Sequence, residues 1–171
     1  MNLKLRELTL NDEGAFLRGA LAWPPADRHW HSFEWKEGGD FTNHLEILRK
    51  NSLGLDLPAG WVPSTMLYGF SGSEIIGRLN IRHTLTPSLQ KRGGHIGYAV
   101  APAFRRKGYA HEMLRQALPI CKRLGINEIL ITCNEDNIAS HHVIKKNGGV
   151  LEEKLLDDVD QVMIRKYVIA V

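Results

Sequence analysis

Cysteine is scarce in this chain of 171 residues: Cys121 and Cys133 are the only two. Two thiols build neither a disulfide framework nor the multi-cysteine cages of structural zinc. The fold must therefore rest on an apolar core, and the default compartment is the cytoplasm. Long apolar runs are missing as well. No stretch approaches the roughly 20 residues that cross a bilayer, so no membrane partner is expected. The amino-terminal run MNLKLRELTL alternates and carries charge throughout, unlike a leader peptide. Nor is there a large surplus of one charge. A net charge of +3 with a pI near 8.9 is too little to indicate nucleic acid, although it suits a polyanionic ligand. Internal repeats and low-complexity tracts are absent. What remains is 43% hydrophobic and 24% charged, which places the chain among ordinary globular proteins with one domain and a sizeable core.

The most informative stretch is Gly93 to Ala110, GGHIGYAVAPAFRRKGYA. His95 to Val100 reads as a short strand that must stop by Pro102, because proline cannot donate to a sheet ladder. Arg105-Arg106-Lys107-Gly108 is a basic turn. Beyond it Met113, Leu114, Ala117, Leu118 and Cys121 recur at helical spacing. The first N–H groups of a helix lack partners and carry its positive end, so strand, basic turn and helix together form an anion site. Gly108 allows the backbone to approach a phosphate closely. The turn lacks the endings of a nucleotide P-loop and of the dinucleotide fingerprint. A solvated surface turn is the competing reading.

On either side the elements follow from spacing and punctuation. Leu3 to Thr9 reads as a strand, and Asn11 and Asp12 offer caps for a helix from Glu13 to Leu21. Trp23-Pro24-Pro25 ends it. Ala26 to Gly39 is dense in rings, and Trp23, Trp30 and Trp35 make up three of the four tryptophans. They form either a satellite core beneath a loop or the wall of an acceptor pocket. His29 and His31, two apart, lack the further ligand a metal site needs, and with His44 they leave no metal expected. Phe41 to Lys50 has helical spacing, and Asn51 to Gly60 reads as a loop, where Pro58, Gly60 and Pro63 fit the rim of a pocket. Ser64–Phe70 and Glu74–Arg82 read as a hairpin. Ile126–Cys133 is a strand after a glycine stop, and strand–helix–strand connectivity predicts that it runs parallel to the His95–Val100 strand. Pro119 predicts a kink in the intervening helix. Asn137 caps a helix to Lys146, and Val150–Leu156 with Gln161–Ile169 close an antiparallel hairpin.

Arg105-x-x-Gly108-x-Ala110, with a strand ending at Val100, resembles the acetyl-CoA signature of the GNAT superfamily of N-acetyltransferases. The likeness continues through Ile129–Cys133, Asn137-Ile-Ala-Ser140 and Lys146–Gly149, and spans residues 64 to 170 in element order. It implies one α/β domain over residues 1–171, with a mixed, largely antiparallel sheet and helices on both faces. A central parallel strand pair would splay at the cofactor site. Residues 93–149 would be the acetyl-CoA-binding core and 23–63 a variable acceptor-side segment. By the same resemblance, the pantetheine arm would bond the backbone of Tyr98, Ala99 and Val100. The diphosphate would lie on Arg105, Arg106, Lys107, Gly108, Tyr109 and Ala110. Asn137 and Ser140 would hold the arm, with Ser140 reaching the sulfur, whereas plain helix capping is the alternative for both.

The implied activity is direct transfer of acetyl from acetyl-CoA to an amine in a ternary complex. A small-molecule or peptide α-amine is favoured over lysine, because its lower pKa demands less of a base. Two departures matter. The tyrosine that many relatives use as general acid is replaced by Ile144, and His95 stands where many have glutamate. His95 is a candidate general base, with a strand histidine satisfied by its neighbour as the alternative. His141 and His142 are weaker candidates on an exposed helix, and Cys133 either touches the thioester or packs in the core. A homodimer is a candidate assembly. The competing function is a CoA-binding sensor or scaffold that has lost catalysis.

Overall fold

A computed structural model describes residues 2–33 and 35–171. In chain order the elements are β1 (Lys4–Arg6), α1 (Glu13–Leu21), α2 (Phe41–Leu53), β2 (Ser64–Ser71), β3 (Glu74–Arg82), α3 (Pro87–Lys91), β4 (Ile96–Val100), α4 (Tyr109–Arg123), β5 (Glu128–Asn134), α5 (Ile138–Lys146), β6 (Val150–Leu156) and β7 (Met163–Ala170). Local chemistry sets several of these ends. The Asp12 carboxylate accepts from the Thr9 N–H at 2.7 Å and from Arg6 at 2.6 and 2.7 Å. Those bonds, Arg6 first, hold its pKa down at about 2. Asp40 caps α2 by accepting from the Thr42 N–H, and Gly54, at φ +73°, ends that helix in the left-handed conformation. Between β3 and β4, α3 has Pro87 at its first position and the Thr86 hydroxyl accepting from the Leu89 N–H.

The strands form two sheets, β1-β2-β3-β4 and β5-β7-β6, and every paired neighbour is antiparallel. Helices pack on both faces of the first. On one side Phe16, Phe41, Met66, Tyr68, Phe70 and Ile75 close a core between α1, α2 and the hairpin. On the other, Leu67, Leu79, Ile81 and Ile96 meet Met113, Leu114 and Ala117 of α4, and that core runs on into Ile129, Ile131 and Tyr167 of the second sheet.

The parallel pair differs from expectation. No ladder joins β4 to β5 among the described residues; they meet at one bridge, Gly94 to Ile131, of antiparallel type. Gly93 and Gly94 lie at φ +115° and +63°. That conformation turns the chain so that His95 N–H donates to Leu130 O at 2.7 Å before β4 begins. Beyond this point the strands part, so the splay is present without the parallel bonds. Pro119 lies inside α4, which resumes beyond it to Arg123.

Candidate active site

The gap between β4 and β5 follows from hydrogen-bond alternation. Arg82 N–H donates to His95 O at 2.7 Å and Ala101 N–H donates to Ile76 O at 2.9 Å. Successive residues of an antiparallel strand point their main-chain groups to opposite sides. Gly97 and Ala99 therefore pair with Asn80 and Arg78 of β3, and the N–H and C=O of Tyr98 and Val100 face the gap. Arg105 Nε fills one of these positions, donating to Val100 O at 3.0 Å. Strand β4 is held close to β3 by Gly77, where a Cβ would stand 2.4 Å from Ala99 O.

The basic turn lies at the end of β4. Arg106 has φ +60° and Gly108 φ +81°, two left-handed residues that fold the turn back onto the start of α4. Gly108 is the N-cap of α4 and supplies no side-chain cap. The first N–H groups of a 15-residue helix are thus left for a ligand. Lys107 Nζ donates to Ala103 O at 2.9 Å. None of Arg105, Arg106 and Lys107 forms an ion pair with a described carboxylate. A diphosphate fits this donor set.

Across the gap, Asn137 caps α5 by accepting from the Ser140 N–H at 3.0 Å. That cap fixes Ser140, which lies beside the Tyr98 hydroxyl with Cys133 close by. Burial pushes the Tyr98 hydroxyl up to about 12, opposed by the adjacent Ser140 and reinforced by Cys133, and burial likewise raises the Cys133 thiol. Cys133 contributes to the core that spans both sheets. Ile144 is buried in the same core and carries no proton. His141 is partly buried, its Nδ1 against the Tyr167 hydroxyl and 3.3 Å from Arg165 Nη1. His142 is exposed.

His95 stands apart from this group. Its Nδ1 accepts from the Leu130 N–H at 3.0 Å, and its pKa is lowered by burial and then by Arg82. With that lone pair engaged, the neutral ring carries its proton on Nε2. A strand rises about 3.3 Å per residue, which puts His95 roughly 10 Å along β4 from Tyr98.

The aromatic segment divides. Trp35 meets Phe16 edge-on at 5.0 Å and packs on the satellite core, while Trp23 is buried with the Arg105 guanidinium 5.8 Å from its ring centre. Trp30 and Phe33 remain 42% and 44% exposed. His31 and His44 turn inward, the latter 3.1 Å from Ser32 Oγ. Sequence reading passed over Arg78, Asn80 and Arg82. Their signal was three polar residues at period two in β3, a pattern that ordinarily marks the wet face of a strand.

Residues 2–150 match the acetyltransferase (GNAT) domain model. A Bacillus subtilis (strain 168) protein, YnaD, described as an uncharacterized N-acetyltransferase, is 37% identical over 54 residues. That match spans about a third of either chain: 31% of this one and 32% of YnaD. Among solved structures, RimL, a ribosomal L7/L12 alpha-N-protein acetyltransferase in complex with coenzyme A, superposes with TM-score 0.66 at 19% identity, covering 100% of this chain and 95% of that one. The Salmonella typhimurium acetyltransferase that modifies the N-terminal serine of L7/L12 gives 0.68 at 19% identity, covering 100% and 96%. Mycobacterium smegmatis RimJ with a CoA-disulfide gives 0.67 at 22%, covering 99% and 82%. At these identities the structures speak for the fold, and the domain match, over most of the length, speaks for the lineage: the chain belongs to the GNAT acetyltransferase family.

Proposed function

We propose that the protein transfers an acetyl group from acetyl-CoA to the amine of a small molecule or of a peptide amino terminus, in the cytoplasm and by direct attack in a ternary complex. The observation that carries this is the side-chain-free start of α4, with its unpaired basic turn, at the mouth of the gap beside β4. Acetyl-CoA, when bound, supplies an activated acyl thioester. The residues Arg105 to Ala110 hold its diphosphate, and the outward main chain of Tyr98 receives its pantetheine amides, the Val100 C=O being already engaged by Arg105. The Val100 N–H is the donor for negative charge developing on the acyl oxygen, a role that needs no particular side chain. Ser140 and the neutral Tyr98 hydroxyl stand on the thiol side, where a proton must arrive as the thiolate leaves. They take the place that Ile144 cannot fill.

The proton of the attacking ammonium is the remaining demand. His95 reaches it only through water and by surrendering its bond from Leu130, so we assign His95 chiefly to tying β4 to β5. An α-amine, which titrates below a lysine side chain, makes a smaller demand on such a site. If His95 is instead the base, His95→Ala lowers kcat/KM for the acceptor by about 10²-fold or more at unchanged acetyl-CoA affinity. We expect less than tenfold, together with a lower Tm.

Calorimetry tests the cofactor site. Gly108→Val places a β-branched side chain on a left-handed residue at the helix start, and acetyl-CoA affinity should fall by at least about 100-fold. Arg106→Ala removes one of three cations and should cost about tenfold or less. Parent-like binding by Gly108→Val would remove the diphosphate from this turn. Release of free thiol from acetyl-CoA with an amine separates the transferase from a non-catalytic CoA sensor.

A further inference from the structure

On the β3 face that looks toward α1 and α2, Arg78, Asn80 and Arg82 share one side of the strand. Arg78 is only 1% exposed and Asn80 only 6%. The Arg78 guanidinium lies 3.7 Å from the centre of the Phe33 ring, and its Nε donates to Trp30 O at 2.6 Å, while Nη1 has no hydrogen-bond partner. Arg82 donates through Nη1 to Gly94 O at 2.9 Å. No described carboxylate pairs with either arginine. Asn80 Oδ1, between them, is also buried without a partner. Buried cations are ordinarily paired, so this face has positive charge and hydrogen-bonding capacity left over.

A cavity of about 530 Å³ opens here, with Asn80 and Arg82 on its polar side and Phe33, Trp61, Val62 and Leu89 as apolar walls. Asn80 sits opposite Gly97 of β4, and a Cβ built on Gly97 would meet nothing within 4 Å. The next residue, Tyr98, turns its main chain to the gap assigned to the pantetheine arm. The cavity and the thioester position are therefore neighbours across one strand.

We propose that this cavity binds the acceptor, and that the acceptor is a small amine bearing a carboxylate, as an apolar α-amino acid does; this rests on the transferase reading above. The carboxylate answers the unpaired positive charge of Arg82, reinforced by the buried Arg78. The Asn80 amide takes a polar group beside it, and the apolar walls receive a side chain. The volume suits one such molecule. A polyamine meets two fixed cations and is repelled. A peptide amino terminus offers an amide where the carboxylate stood and leaves Arg82 unanswered.

The test compares L-leucine and L-phenylalanine with their α-amides and with spermidine, each kcat/KM corrected for the fraction of neutral amine at pH 8. The free acids should lead their amides at least tenfold, with spermidine last. Calorimetry on the CoA-loaded protein gives a readout without turnover, in which the acids bind and the amides do not. Asn80→Asp sets an anion between the arginines; it should raise KM for the acids at least tenfold while acetyl-CoA affinity stays within twofold. Amides that bind and react as well as the acids, acids that fail to bind, or acids indifferent to Asn80→Asp overturn the acceptor class alone. Failure of the parent to bind acetyl-CoA overturns the transferase reading instead.

Discussion

Gly94→Ala is expected to destabilise the protein by about 3–5 kcal/mol, the sum of two independent penalties. The residue has φ +63°, where a side chain is strained whatever the space around it, and an added Cβ would lie 2.4 Å from Leu130 O. Neither penalty relaxes easily, because the obstructing atom is backbone of β5 and not the end of a flexible side chain. The site is also the single bridge between the two described sheets. Movement there widens the gap that β4 and β5 enclose, so acetyl-CoA affinity should fall along with Tm. For a chain of this size the expected drop in Tm is roughly 10 °C. Gly97→Ala is the matched control, since its Cβ enters open space and should leave Tm nearly unchanged. A Gly94→Ala protein within about 1 kcal/mol of the parent would show that the bridge does not hold the halves together.

The second large effect is loss of stability in mild acid. His31 and His44 are 1% and 2% exposed, and burial lowers each pKa from 6.5 to about 4. Both are packed against Phe16, with ring centres 4.6 and 5.2 Å away. In the unfolded chain they take up protons as pH falls through 6.5, while in the fold they remain neutral until about pH 4. The unfolded state thus binds more protons throughout that window. The contribution of the pair is full above pH 6.5, declines as pH drops toward 4, and is spent below it. One pKa unit corresponds to about 1.4 kcal/mol, so the pair can remove on the order of 7 kcal/mol. Asp12, held near 2, adds its own loss only below this window. Urea unfolding at pH 7.5, 6, 5 and 4.5 measures the slope. The His31→Gln/His44→Gln double variant should start less stable and show a flatter dependence. Parallel curves for parent and variant would place the acid sensitivity elsewhere.

Much of the architecture was legible because its signals are local. Helix α1 and the β2–β3 hairpin begin and end where caps and turn residues say they should. The strand, basic turn and helix around Gly108 announce themselves by order alone. The aromatic segment was legible only as a choice between pocket wall and core, since rings close in sequence can be sorted only by what packs above and below them. Trp35 found Phe16, while Trp30 and Phe33 stayed at the surface beside Arg78.

What the chain determines by itself is therefore whatever depends on neighbours within a turn or two: element boundaries, the anion-binding turn, the missing proton donor at Ile144, and membership in the GNAT family through the motif. What only the tertiary structure decided depends on contacts far apart in sequence. Period-two polarity in β3 is the same string whether water or another layer covers it, and the packing of α1 and the Trp30–Phe33 segment buried Arg78 and Asn80 and left Arg82 half-buried beside them. His95 offers both ring nitrogens in sequence, and the approach of Leu130, 35 residues on, committed one of them to structure. The parting of β4 from β5 was decided by Gly93 and Gly94, whose left-handed backbone ends the pairing after one bridge and leaves the main chain of Tyr98 and Val100 facing the gap.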